Sequence, residues 1–334
     1  MFIRKKIQQQ KPKKNRLAPN HRLFSTAFHQ HPNYAWASKK WPILPQQRVV
    51  FAQFDLAGTL VDEFCIAPFD AFSELFLNLG FNLTPEQITG PMGLKKIEHI
   101  KHLLEEIREE WREKYGRYPG AQDAENLNQT FNQLLQKSLP KYTALTPKAE
   151  LALDFIFKHL DGYALTTGYP RAAANIAMSE LIKKYPPMAI TTSDEVSTRI
   201  GMVEANNRKC HLTQEERRHV IFFTDAGSDV ESLRSANEYP WTIGISGAST
   251  HNEIISLETA KKMSPELRQE KRTKASDILY KKGAHCVIED LSELPLALVA
   301  VNHLIQDGLK PKEVNTFELP SPNAEFANRP KKNV

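Results

Sequence analysis

Val49-Val50-Phe51-Ala52-Gln53-Phe54-Asp55-Leu56-Ala57-Gly58-Thr59-Leu60-Val61-Asp62 opens with a short apolar run, rich in β-branched and aromatic side chains, that ends on a carboxylate. A continuous apolar run of this length is expected of a strand buried on both faces, as in a parallel sheet. The pattern recurs along the chain. Residues 219–223 lead into Asp225, 162–165 into Thr166-Thr167-Gly168, and 188–191 into Ser193-Asp194, while 241–245 and 285–288 have the same character. Helical patterns over 147–160, 170–184, 229–237 and 265–282 fall between them. Strands that alternate with helices predict an α/β fold, a Rossmann-like parallel sheet with helices on both faces.

The alternation is interrupted once. Between Cys65 and Tyr142 no strand pattern occurs, whereas 68–79, 97–115 and 124–139 carry apolar residues at helical spacing. Residues 65–142 are therefore expected to form a helical cap inserted after the first strand, with 48–64 and 143–305 as the core. Ligands of open α/β folds bind outside the carboxyl ends of the strands, which is where such an insertion emerges.

Composition narrows the class. The 334 residues carry a net charge of +5, but eleven Lys and Arg and no acid precede Asp55, leaving 33 basic and 39 acidic side chains, or −6, for the rest. A mildly acidic body argues against nucleic-acid binding. Residues 1–47, rich in Lys, Gln, Pro, Asn and His, are expected to be a basic, disordered tail, and 306–334 a second tail. The acid-free leader also suits an organellar transit peptide, although its lysines and prolines do not. No apolar run reaches the roughly 18 residues that a membrane helix needs, so a soluble, cytoplasmic protein is expected, with an organelle as the alternative. Cys65, Cys210 and Cys286 are too few and too scattered for a disulfide framework or a zinc site.

Asp55 and Asp225 each end an apolar run, so both carboxylates are expected at one edge of the sheet, where they repel unless a cation or a proton lies between them. A hard divalent cation, Mg²⁺ above all, suits oxygen ligands. Asp229 follows four residues later and could orient that metal or its waters. A helix cap is the alternative reading of any one such aspartate.

Asp55-Leu56-Ala57-Gly58-Thr59 resembles the nucleophile loop of the haloacid dehalogenase-like hydrolases, in which an aspartate attacks phosphorus. Most phosphatases of that superfamily have a second aspartate two residues on; this chain has Ala57. Ala57 together with Met92-Gly93-Leu94-Lys95-Lys96-Ile97-Glu98-His99 resembles the phosphonatase branch, the phosphonoacetaldehyde hydrolases, over about 49–304. The resemblance implies a haloacid dehalogenase-like core with a helical cap, Mg²⁺ held by Asp55, Ala57, Asp225 and Asp229, a small phosphonate substrate, and a homodimer formed through the cap. It implies that Lys96 forms a Schiff base with the aldehyde and that Asp55 takes the phosphoryl group. Cleavage of the carbon–phosphorus bond would then give acetaldehyde and phosphate.

A lysine with an ordinary pKa of about 10.4 needs burial or a nearby positive charge to act as an amine. His99, three residues on and on the same helix face, is expected to shuttle protons. By resemblance Thr167, Tyr169 and Arg199 bind substrate, and Met92, Gly93 and Cys65 line the pocket. The chain departs from the branch in two places. Asp194-Glu195-Val196-Ser197-Thr198-Arg199-Ile200 lacks one residue, the prolines and the glycine of the usual Arg loop, and Thr224-Asp225-Ala226-Gly227-Ser228-Asp229 replaces Gly-Asp-Thr-Val-Ser-Asp. A haloacid dehalogenase-like phosphatase, a phosphonate hydrolase with another substrate and a non-catalytic relative remain alternatives.

Overall fold

A computed structural model describes residues 31–42, 44–92 and 94–320. The described residues form one six-stranded sheet, all parallel, in the order β3-β2-β1-β4-β5-β6. The strands are β1 (Phe51–Asp55), β2 (Gly162–Thr167), β3 (Ala189–Thr192), β4 (Val220–Thr224), β5 (Trp241–Ile245) and β6 (Cys286–Ile288). Every residue of β1, β2, β4 and β5 is buried, which explains why these strands read as continuous rather than alternating apolar runs. Strand order reverses between β1 and β4, and the crevice at that switch point lies outside the carboxyl ends of the two strands that carry Asp55 and lead into Asp225.

The helices follow in chain order. Helix α1 (Pro32–Lys40) precedes the sheet, and α2 (Ile66–Asn78), α3 (Pro85–Thr89), α4 (Lys96–Glu106), α5 (Arg108–Tyr115) and α6 (Ala121–Ser138) fill the connection from β1 to β2. Core helices α7 (Ala149–His159), α8 (Arg171–Ala177), α9 (Ser179–Lys184), α10 (Arg199–Lys209), α11 (Gln214–Arg217), α12 (Gly227–Arg234), α13 (Leu257–Lys262), α14 (Pro265–Lys281) and α15 (Leu294–Gln306) connect and flank the remaining strands. The pattern over 97–115 is two helices, because the backbone at Ile107 turns out of helical geometry. Apolar Phe72 of α2 and Phe131 of α6 stack at 4.2 Å and anchor the cap's own core.

Parts of both expected tails are folded onto the core. Within 1–47, α1 packs on α15 with Tyr34 and Ala37 fully buried. Tyr34 donates to the Leu291 carbonyl at 2.6 Å, and Tyr34 and Trp41 meet the Phe155 ring edge-on. Tyr34 and Ala37, three residues apart, share the inner face of α1 and Trp41 follows its end, a signal outweighed by the surrounding Lys, Gln and Pro. Within 306–334, Val314 and Phe317 are buried and the Phe317 N–H donates to the His285 carbonyl at 2.8 Å. Residues 1–30 and 321–334 of the expected tails lie outside the described residues.

If α1 belongs to the core, Tyr34→Ala should cost about 3 to 5 kcal/mol by analogy with other aromatic truncations. Tyr34→Phe, which only leaves the Leu291 carbonyl without its donor, should cost about 1 kcal/mol. Urea midpoints measure both, and an unchanged midpoint for Tyr34→Ala would contradict the packing.

Candidate active site

Asp55 is the last residue of β1 and Asp225 follows the last residue of β4, so the parallel register brings both carboxylates to one edge. Gly58 makes the approach possible. Its φ is +82°, a conformation glycine adopts freely, and a Cβ there would lie 2.5 Å from an Asp225 carboxylate oxygen. Thr59 Oγ1 donates to Asp225 Oδ1 at 2.9 Å and accepts from the Asp225 N–H at 3.2 Å, locking the two loops together.

The buried acids are electrostatically unfavourable as anions. Burial pushes the Asp55 carboxyl up to about 7, against the pull of Arg199 and with the push of Asp229. Burial and the facing Asp55 raise Asp225 well above the usual carboxylate range. Arg199, at the first turn of α10 and capped by Thr198, points inward. Its Nη1 lies 2.8 Å from Asp55 Oδ1, its Nε 2.8 Å from Asp229 Oδ1, and Nη1 also donates to Thr166 Oγ1 at 2.7 Å. Burial works against its charge, yet Asp229 and Asp55 overcome that and hold the guanidinium above its ordinary range. This side chain is only 10% exposed, so Arg199 is part of the site and not a solvated arginine on the helix surface.

A cavity of about 560 Å³ lies between this edge and the cap. The core supplies Asp55, Ala57, Thr167, Tyr169, Arg199, Asp225 and Asp229 to its wall. The cap and the linker supply Cys65, Met92, Lys96 and two asparagines of α6, Asn128 and Asn132. Thr167 Oγ1 accepts from the Tyr169 N–H at 3.1 Å, which shapes the turn after β2. Lys96 is the first residue of α4, with Nζ 5.7 Å from the centre of the Phe72 ring. Burial lowers the pKa of Lys96, while Cys65, Asp55 and Asp62 oppose the shift. The positive end of the α4 dipole acts in the same direction as burial. Gly93 lies outside the described residues.

One expected assignment changes. His99 is fully buried in the cap, its ring 3.9 Å from that of Phe72, and it does not line the cavity. Burial, then the charge of Lys96, push it to about 2, so it is neutral and a poor base: the shared helix face turns His99 toward α2 rather than toward the cavity. Asp229, grouped with metal ligands from sequence, also lines the cavity, where its carboxylate pairs with Arg199 and accepts from Thr224 Oγ1 at 2.9 Å. Ala57 has no donor side chain and could offer a cation only its carbonyl.

Sequence reasoning passed over Asp62. It is buried, burial raises it to about 7, and its carboxylate accepts from the N–H groups of Ile66 and Ala67 at the start of α2. Tyr169 Oη reaches it at 3.5 Å, so the root of the cap touches the wall of the cavity. An aspartate four residues before a helical pattern was the available signal.

No family model matches the chain. The phosphonoacetaldehyde hydrolase of Bacillus cytotoxicus is 31% identical over 251 residues, spanning 72% of this chain and 92% of that relative. The chain belongs to the phosphonoacetaldehyde hydrolase family. A phosphonoacetaldehyde hydrolase-like protein from Oleispira antarctica superposes with a TM-score of 0.72 at 24% identity, over 79% of this chain and 96% of that one. A haloacid dehalogenase-like hydrolase from Streptococcus pneumoniae gives 0.54 at 16%, over 74% and 96%. Those two likenesses bear on the fold, and the Rossmann-like, haloacid dehalogenase-like core is as read from the sequence. Among the described residues no helix is long and apolar enough to cross a membrane.

The phosphonoacetaldehyde hydrolase family membership bears on the cation. Among the described residues no three acid, His or Cys side chains form a ready cage. The donors present are nevertheless all oxygens: two facing buried carboxylates and the Ala57 carbonyl. Beside them Ser228 Oγ and Thr250 Oγ1 are buried with no partner among the described residues. Excess buried negative charge and orphaned hydroxyls fit a hydrated hard cation.

The pH response of the cation-free protein follows. Asp55 and Asp62 titrate near 4 when unfolded and near 7 when folded, so between those values the native state binds more protons and their contribution to stability falls as pH rises. Asp225, raised further by burial and the facing Asp55, adds a third such carboxyl, so thermal unfolding in chelator from pH 5 to 8 should show a steeper loss in wild type than in Asp225→Asn, which removes it. Parallel pH profiles would refute the electrostatic account.

Proposed function

We propose that the chain hydrolyses the carbon–phosphorus bond of phosphonoacetaldehyde, giving acetaldehyde and phosphate. The observation that carries this is one cavity with an amine of lowered pKa on the cap side, a strand-end carboxylate on the core side, and a methyl group at position 57. An ester phosphatase needs an acid to protonate its oxygen leaving group, and Ala57 has none. A carbon leaving group held as an imine does not need one.

Lys96 Nζ adds to the aldehyde carbon and water departs, leaving a protonated imine. An Asp55 oxygen then bonds to phosphorus as the carbon–phosphorus bond breaks, its electron pair passing into the imine to give an enamine. Protonation at carbon and hydrolysis of the resulting imine release acetaldehyde and free Lys96, while water hydrolyses the aspartyl phosphate. Arg199, already against Asp55, suits two phosphonate oxygens at once. Thr167 and Tyr169 line the phosphoryl and aldehyde ends. Mg²⁺ held by Asp55, Asp225 and the Ala57 carbonyl would supply positive charge that lets an anionic nucleophile meet a phosphonate dianion. His99, one turn along the same helix, serves here by packing on Phe72 of α2, which fixes α4 and with it the base of Lys96.

Borohydride added with phosphonoacetaldehyde should leave a stable adduct on Lys96, read as a mass increase on the peptide containing it. Lys96→Arg and Asp55→Asn should each lower phosphate release by roughly 10³-fold or more, as loss of a covalent catalyst does elsewhere. Failure to trap an adduct, or equal rates in all three proteins, would sink the mechanism.

A further inference from the structure

Most hydroxyls around Asp225 are committed. Thr59 Oγ1 bonds Asp225 itself, and Thr224 Oγ1 donates to Asp229 while accepting from the Ala226 N–H at 3.1 Å. Position 226 carries only a methyl group. Ser228 and Thr250 are different: both line the cavity, and their hydroxyl oxygens are shielded from solvent with no hydrogen bond among the described residues. A buried hydroxyl without a partner is unfavourable, so a partner is to be expected for each.

Thr250 lies in the loop after β5, far in sequence from the loops that carry the acids. The fold ties that loop to Asp225 at two points: the Thr250 N–H donates to Asp225 Oδ2 at 3.3 Å and Ser249 Oγ donates to the Asp225 carbonyl at 2.7 Å. The local turn does not use the Thr250 hydroxyl, because Ser249 Oγ is the group that accepts from the His251 N–H. The fold thus ties the Thr250 backbone to the buried carboxylate and leaves its hydroxyl, in a residue of the cavity wall, with no hydrogen bond among the described residues.

We propose that Thr250, aided by Ser228, holds water of a divalent cation bound at Asp55 and Asp225, and so is a positioning residue for that cation. The proposal rests on the cation reading given above. Mg²⁺ dehydrates reluctantly and keeps several waters in protein sites, so the acidic pair alone leaves those waters in need of partners. A hydroxyl suits the task because it can accept from a water and donate to a carboxylate or a second water. Thr250 brings from a separate loop the hydroxyl that Ala226 lacks.

Titration of the full, chelator-treated chain with MgCl₂ by calorimetry tests this. Thr250→Val keeps the shape and the backbone N–H and removes only the hydroxyl, so Mg²⁺ affinity should fall about tenfold or more, in the range found for outer-shell partners. The cation-free melting temperature should not drop, and Thr250→Ser should bind Mg²⁺ within about twofold of wild type. A Thr250→Val affinity equal to wild type, or a Thr250→Ser affinity as weak as Thr250→Val, would overturn the assignment. Asp225→Asn separates the two levels. If it abolishes binding while Thr250→Val has no effect, Thr250 alone is wrong. If it binds like wild type, or if wild type does not bind, the cation reading and this proposal fail together.

Discussion

Two carboxylates share a buried edge of the sheet, and much of the surrounding structure answers the cost of keeping them there. Asp55 and Asp225 are both removed from water, and burial and the facing Asp55 disfavour the charge of Asp225 while burial and Asp229 disfavour that of Asp55. Gly58 is glycine because any Cβ would collide with Asp225. Thr59 and the Thr250 N–H spend donors on that same side chain, and Arg199 places its guanidinium between Asp55 and Asp229. Such an arrangement is expensive for stability and useful for chemistry, since a buried anion poorly satisfied by its surroundings responds strongly to any cation or electrophile that arrives.

The second chemical group comes from elsewhere in the fold. Lys96 belongs to the cap, whose own core of Phe72, Phe131 and His99 holds α4 against α2 and α6. The link between cap and core is a left-handed stretch, with positive φ at Asp62, Phe64 and Cys65. Side chains other than glycine adopt that backbone at a cost, which the Asp62 carboxylate offsets by capping α2 and meeting Tyr169. The linker that delivers the amine is thus fixed by a residue in contact with the cavity wall.

Most of the architecture was legible in the sequence because buried parallel strands and amphipathic helices have different periods. The strands ending near Asp55, Thr167, Thr192 and Thr224, and the helical insertion between β1 and β2, all follow from that contrast. The candidate site was legible to the extent that its residues sit at strand ends or in a motif. Asp55, Lys96, Thr167, Tyr169, Arg199 and Asp225 do, and they meet in one cavity. Helix α1 was not legible, since the surrounding Lys, Gln and Pro mask the buried Tyr34 and Ala37 on its inner face and Trp41 just beyond its end. Thr250, Asn128 and Asn132 were not legible either, because a loop threonine and a pair of helix asparagines carry no pattern until a wall forms around them.

The sequence by itself determined the sheet, the insertion, the strand-end acids and the absence of an acid at position 57, because each is a property of neighbours along the chain. Only the tertiary structure decided which way side chains of known identity point. It turned His99 into the cap core although it shares a helix with Lys96, and it turned Asp229 toward Arg199 although it follows Asp225 by four residues. The physical reason is that charge, burial and hydrogen bonding at a site depend on side chains distant in sequence, as when Thr250 approaches Asp225 across twenty-five residues.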